Sequence, residues 1–187
     1  NSIKLSYKEC QLNNFQGLIT LPIRKDILIK KIDKNFTGHT ELFAKLNNKI
    51  FTNMILIKKK LIVVTLTTHI ELNKISKTIS KKNFIYDRIY NLNKTLEIDF
   101  NIKKPKILVS GINPHAGENG YIGKEEIEII KPQLKKLKKS NCNVFGPNSG
   151  DTMLTKKNTG YFDCFVFMYH DQALIPFKYI SNFSGVN

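Results

Sequence analysis

Tryptophan is absent from this 187-residue chain, and only two of its thirty cationic residues, Arg24 and Arg88, are arginine. The balance against fifteen acids is +15, a charge that ordinarily raises the question of nucleic acid. A surface built for phosphates or bases recruits the bidentate arginine fork, which is nearly missing here. Lysine, asparagine, isoleucine, phenylalanine and tyrosine, all served by A/T-rich codons, are abundant together instead. The charge is therefore read as base bias in the gene, and no nucleic-acid partner is expected. Cysteine is equally scarce. Cys10, Cys142 and Cys164 are odd in number, far apart and without CxxC spacing, so neither a disulfide framework nor a cysteine-based zinc site follows. A reducing cytoplasm is the expected location. No apolar run approaches the ~20 residues that span a bilayer, so no membrane partner is expected. Residues 1–10 lack a basic segment followed by an apolar stretch, so no signal peptide is expected. The chain opens on Asn1 instead of Met, as a sequence beginning partway into a longer protein would.

Hydrophobic residues make up 41% and charged residues 24%, an ordinary globular composition, enough for one domain or two small ones. Leu18 to Leu21 predicts a short buried strand stopped by Pro22, with a helix over Ile23 to Lys31. Leu42, Phe43 and Leu46 share one helical face. Phe51 to Ile57 and Leu61 to Leu66 predict two strands joined by a solvated turn at Lys58-Lys59-Lys60. A helical stretch follows over Ile70 to Ser80. Ile85, Ile89, Leu92 and Leu96 form a second helical stripe. Lys106 to Ser110 predicts a buried strand running into the glycine-marked loop Gly111 to Gly123. Ile127, Ile130, Leu134 and Leu137 form a third stripe, bent at Pro132, and Asp163 to Met168 is the last strand. Strands alternating with helices predict an α/β fold, a parallel or mixed sheet covered by helices.

There are four histidines. His69, His115 and His170 each follow a predicted strand, and His39 opens a helix. Ligands of open α/β sheets bind just beyond the carboxyl ends of strands. Three neutral imidazoles there, with an open position, suit a catalytic divalent metal such as zinc. A lone loop histidine is usually a surface residue; three at strand ends, in a chain with few others, point to ligands. Asp171 either orients a ligand or takes up a proton, or is a loop acid. Lys178, in the apolar setting Pro176-Phe177-Lys178, either grips a phosphate as a point charge or is surface lysine. The loop from Asn113 to Gly120 matches neither GxGxxG nor a P-loop.

The segments Gly38-His39-Thr40-Glu41, Thr67-Thr68-His69, Gly111-Ile112-Asn113-Pro114-His115-Ala116-Gly117-Glu118, Gly146-Pro147 with Asp151-Thr152, Met168-Tyr169-His170-Asp171-Gln172 and Gly185-Val186-Asn187 occur in this order. Together with Gly17 to Lys25 they resemble the 4-hydroxythreonine-4-phosphate dehydrogenase family of vitamin B6 biosynthesis. The resemblance covers nearly the whole chain. It implies an isocitrate/isopropylmalate dehydrogenase-like two-domain α/β/α fold, present here as an incomplete chain. Residues 1–32 would be a piece of the cofactor-side domain, 33–172 the central metal-binding and dimerisation domain, and 173–187 a return into the first domain. The family's early glycine-rich segment, its substrate-contacting arginine and its Asp-His-Gly segment have no match. Its Pro-Ala-Asp-Thr appears as Asn148-Ser149-Gly150-Asp151-Thr152.

The resemblance further implies NAD as cofactor and a divalent metal (Zn, Mg or Co) held by His69, His115 and His170. His170 and Asp171 would be catalytic, and His39, Thr40, Lys178 and Asn187 would bind substrate. A homodimer would share the metal site between subunits. The implied reaction is oxidation of 4-phosphooxy-L-threonine to 2-amino-3-oxo-4-phosphooxybutanoate, which decarboxylates to 3-amino-2-oxopropyl phosphate; the 187 residues alone would not turn over. The alternatives are a dehydrogenase of another phosphorylated sugar acid (threonate or erythronate 4-phosphate), or a non-catalytic metal-binding remnant. A basic nucleic-acid-binding domain ranks below both.

Overall fold

Apolar runs of four or five residues rich in Ile, Leu, Val and Phe, too short for stable helices, become four strands of one sheet, and Val144–Asn148, which contains Gly-Pro, adds a fifth. In the computed structural model, which describes residues 2–21, 24, 30, 38–47 and 52–187, the strands are β1 (Met54–Lys58), β2 (Leu61–Thr65), β3 (Ile107–Ser110), β4 (Val144–Asn148) and β5 (Cys164–Phe167). Their order is β1-β2-β5-β3-β4. β1 and β2 form an antiparallel hairpin across Lys59 and Lys60, whereas β2, β5, β3 and β4 run parallel. The mixed α/β architecture is the one expected.

The helices are α1 (Ser2–Gln11), α2 (His39–Leu46), α3 (Ile75–Ile79), α4 (Phe84–Ile98), α5 (Lys131–Lys139), α6 (Lys156–Thr159) and α7 (His170–Ser181). Side chains alternate across the sheet. Val64, Val109, Val144, Val166 and Met168 face one side, where Ile79, Ile89, Leu92, Leu96, Leu134 and Leu137 of α3, α4 and α5 cover them. Val63, Leu108, Phe165 and Phe167 face the other, against Met153 and, from α7, Ala173 and Phe177. Each fully buried Leu, Ile or Phe contributes about 1.5–3 kcal/mol of transfer free energy, so both layers are anchored by their stripes.

The chain divides into two compact units, residues 1–48 and 49–187. The expected boundary at 32/33 and most of the expected helix over 23–31 lie outside the described residues. Within this chain residues 173–187 group with residues 49–172. The reason is the buried stripe of α7, together with a bridge in which Ile57 N donates to Val186 O (2.8 Å) and Val186 N to Ile57 O (2.9 Å).

Several local expectations change. Leu18 to Leu21 forms no strand, and Ile19 and Leu21 are exposed. The helix expected over 70–80 becomes a 3₁₀ turn, Leu72–Lys74, followed by α3. Pro132 lies where a π-helical turn, Glu126–Ile130, runs into α5 without a break, since Ile130 and Lys131 both keep helical dihedrals. The expected bend takes the form of that π irregularity just before the proline. β4 and α7 were not foreseen; Gly146-Pro147 lies inside the first and Pro176 inside the second, residues that local rules seldom place within a strand or helix.

Candidate active site at the carboxyl edge of the sheet

β2, β5 and β3 are parallel neighbours, so their carboxyl ends share one edge, the usual ligand edge of such sheets. Four residues beyond β2 comes His69, immediately into α7 comes His170, and five residues beyond β3 comes His115. The first two connections are stitched together. Thr67 donates its N–H (3.2 Å) and its hydroxyl (2.7 Å) to Met168 O, and the Thr65 hydroxyl donates to Thr67 O (2.7 Å). As a result the His69 and His170 rings lie with centroids 5.6 Å apart, tilted by 45°.

His170 Nδ1 is 2.7 Å from the Asp171 carboxylate. A carboxylate only accepts, so Nδ1–H donates and the neutral ring keeps its lone pair on Nε2. This carboxylate–histidine pairing is the one that metal-ligating histidines usually make. Asp171 lies in the first turn of α7. A cavity of about 290 Å³ opens over the pair, lined by Thr68, His69, Leu72, Tyr169, His170 and Asp171. A second, of about 560 Å³, shares Tyr169 and Asp171 and extends to Asp151, Leu154 and Ile175.

His115 is held differently. Residues His115 to Asn119 all have positive φ, between 41° and 77°, a left-handed turn in which only Gly117 is free of side-chain penalty. Glu126, only 1% exposed, anchors the start of this loop. Its Oε1 accepts from Ile112 N and Asn113 N, both at 2.8 Å, and its Oε2 from Asn113 Nδ2 at 3.0 Å. Gly111 and Gly117 are required for space: an added Cβ would fall 2.8 and 2.5 Å from the Glu126 carboxylate oxygens. Glu125, bonded to Asn113 Nδ2 (2.8 Å) and the Ser76 hydroxyl (3.0 Å), is held below the usual carboxylate range mainly by the Asn113 bond.

Of the three expected metal ligands, one chain brings His69 and His170 together. His115 is not gathered with them: among the described residues no three His, Cys, Asp or Glu side chains are placed to hold a metal ion. That histidine stands nearer to Asp151, whose carboxyl is held below its ordinary value first by the Ser149 hydroxyl (2.5 Å) and, less, by His115. Two neutral imidazoles, one backed by a carboxylate, are a donor set that fits a divalent cation completed from elsewhere. Lys178 is exposed near the end of α7, with Nζ 5.8 Å from the Phe183 ring centre. Eight residues of helix separate it from His170, about 12 Å along the axis. Asn187 is exposed at the end of the chain. His39, in the first unit, opens α2 and stacks at 6.4 Å on Phe43; Thr40 follows it in the helix.

Sequence reasoning missed Glu126. Its signal was available, since it stands one turn before Ile130 on the stripe that continues through Leu134 and Leu137. A carboxylate on a buried face must find donors.

The model of the family described as pyridoxal phosphate biosynthetic protein PdxA matches residues 1–187. The 4-hydroxythreonine-4-phosphate dehydrogenase of Colwellia psychrerythraea is 41% identical over 177 residues, covering 92% of this chain and 52% of its own length. The crystal structure of the enzyme of that name from Klebsiella pneumoniae superposes with a TM-score of 0.79 at 36% identity, over 88% of this chain and 49% of that one. The Burkholderia phymatum structure of the same name gives 0.80 at 35% identity, over 95% and 53%. The chain thus spans about half the length of the curated relatives it matches. With the fold and the full-length match in agreement, the chain belongs to the PdxA family of pyridoxal phosphate biosynthetic proteins.

Proposed function

We propose that this chain supplies the metal-holding unit of an NAD-dependent dehydrogenase acting on 4-phosphooxy-L-threonine in pyridoxal phosphate biosynthesis. The observation that carries the reading is the His69–His170 pair, backed by Asp171, at the carboxyl edge of a sheet shared with relatives named for that reaction. His69 and His170 of one subunit, with His115 of a second copy, hold the cation (Zn, Mg or Co) in a homodimer. When bound, the cation supplies a Lewis acid for the substrate hydroxyl and NAD supplies the hydride acceptor.

The chain's own groups do the rest. Asp171 fixes the His170 tautomer and ring orientation at the wall of a cavity that Leu72 and Tyr169 help to line. Asp171 is 71% exposed on its side chain, so it also has open access to take up a proton released at the cavity mouth. Lys178, His39, Thr40 and Asn187 bind the phosphate and carboxylate ends. The 2-amino-3-oxo-4-phosphooxybutanoate formed is a β-keto acid that loses carbon dioxide to give 3-amino-2-oxopropyl phosphate. Buried free Cys142 and Cys164 suit a cytoplasmic setting, and no nucleic-acid or membrane partner is required.

The test is NADH formation from 4-phosphooxy-L-threonine by the gene product that contains these residues, with metal content measured before and after a chelator. Metal-dependent turnover is the expected result. Bound metal without turnover would indicate the non-catalytic remnant, and preference for threonate or erythronate 4-phosphate would redirect the substrate.

A further inference from the structure

Gln172 is the third residue of α7, and its side chain folds back across the edge on which the histidines stand. Its Oε1 accepts from Met168 N at 2.9 Å and from the Ser110 hydroxyl at 3.1 Å. Its Nε2 donates to Gly111 O at 2.9 Å. A side chain three residues into a helix often satisfies the backbone N–H at its cap. Here the amide serves the N–H one residue earlier and spends its remaining capacity on a different strand. Ser110 and Gly111 are buried where β3 passes into the His115 loop, and Met168 is buried where β5 passes into His170. No other side-chain hydrogen bond among those described joins these two connections.

We propose that Gln172 is a positioning residue: one amide sets the offset between the His115 loop and the His170 turn. Because Met168 O also receives both Thr67 bonds, the same offset extends to the connection bearing His69. This rests on the proposed metal-holding role for its functional consequence, although the mechanical role stands on the hydrogen bonds alone. A substitution of matching length without hydrogen-bonding atoms should therefore loosen both connections without emptying the core.

The experiment compares wild type, Gln172→Met, Ser110→Ala and Leu137→Ala. Leu137 lies at the far end of α5, just before β4 begins, and serves as a destabilised control. Amide hydrogen exchange is followed in metal-free protein, and Co²⁺ binding by titration and by its visible d–d spectrum. Gln172→Met should accelerate exchange over both 111–119 and 168–171. It should weaken Co²⁺ binding by about 10–100-fold, as loss of a supporting partner commonly does, and alter the d–d bands. Ser110→Ala, which removes one of the three bonds and is expected to fold in any case, should move the same readouts in the same direction by less. Leu137→Ala should lower the melting temperature and leave affinity and bands unchanged. Unchanged exchange in both segments for Gln172→Met or, if that variant fails to fold, for Ser110→Ala overturns the proposal. Faster exchange with wild-type Co²⁺ affinity also overturns it as a positioning role. Failure of wild type to bind Co²⁺, with exchange still accelerated in the variant, removes the metal reading and leaves the clamp.

Discussion

The two connections that present His170 and His115 are built by opposite means. After β5 the chain enters an ordinary helix at once, and His170 is its first residue, with the helix ladder of α7 behind it. After β3 the chain winds left-handed through four non-glycine residues, a conformation that costs about 1–2 kcal/mol for each. A carboxylate from the next element, Glu126, anchors the residues leading into it, with glycines that make room, and backbone bonds such as Ala116 N to Asn113 O (3.2 Å) and Ile122 N to Gly117 O (3.1 Å) close the turn. The first connection can lose its functional side chain and keep its shape. The second depends on residues that touch no ligand. Substitutions should therefore separate chemistry from stability differently on the two sides of the edge.

The largest effect is expected at the helical connection, on rate. Under the proposed function, His170→Ala in the gene product should lower kcat by about 10²–10³-fold, the scale of removing one electrostatic stabiliser from a transition state. Its melting temperature should hardly move, because the ring is one-third exposed and its partner Asp171 more so. His39→Ala should cost less in kcat, since positioning substrate is its proposed part. Steady-state NADH formation with metal analysis measures both. Undiminished activity in His170→Ala would erase the contrast by removing the metal chemistry.

At the left-handed connection the expected effect is on stability. Glu126→Ala leaves Ile112 N, Asn113 N and Asn113 Nδ2 without their acceptor, and each buried unsatisfied group costs about 1–3 kcal/mol. Water admitted to the gap offsets part of that, so a net loss of about 2–3 kcal/mol is expected in urea unfolding. A self-supporting loop would instead show a loss within experimental error.

Gly111→Ala sharpens the same point. Its Cβ would press on Glu126 Oε1 at 2.8 Å and on Ala116 Cα at 2.9 Å, and overpacking of this kind costs about 1–3 kcal/mol. If the carboxylate is what the glycine makes room for, the double variant Gly111→Ala with Glu126→Ala should be more stable than the sum of the two losses implies, by about 0.5–1 kcal/mol. Strict additivity would show that Ala116 alone sets the limit.

The difference between the two connections also marks what could be seen beforehand. The strands β2, β3 and β5 and the stripe of α4 were legible because burial on one face leaves a period in the residues, and the histidines stood out by their scarcity after strands. Leu18 to Leu21 carried the same local pattern but forms no strand. Strand pairing is a non-local fact. The left-handed turn was not legible either. Ala116, Glu118 and Asn119 prefer other conformations, and the contacts that overrule them, with Glu126 at the loop's start, are set by the fold. α7 was hidden by Pro176, which the helix accommodates in its interior while its first turn and buried Ala173 and Phe177 hold it in place. Which histidines meet within one chain depends on loop geometry that spacing does not encode.

The smallest effect concerns pH, at the outer rim of the left-handed connection. Glu125 accepts from Asn113 Nδ2 and Ser76, and these bonds, the first above all, favour its charged form and lower its pKa from the ordinary value of 4.5. A carboxyl depressed in the folded state stabilises the fold fully above its unfolded value. That contribution fades as pH falls from about 4.5 through the folded value, because the unfolded chain binds the proton first. Glu125 is only partly buried, so solvent screening limits the contribution to a few tenths of a kcal/mol. Urea midpoints measured between about pH 6 and pH 3 should therefore fall slightly more for wild type than for Glu125→Gln. Gln keeps an acceptor for Asn113 but has no charge to lose. Parallel curves for the two proteins would assign the acid sensitivity elsewhere, with Asp151 and its Ser149 bond at the neighbouring turn as the next group to replace.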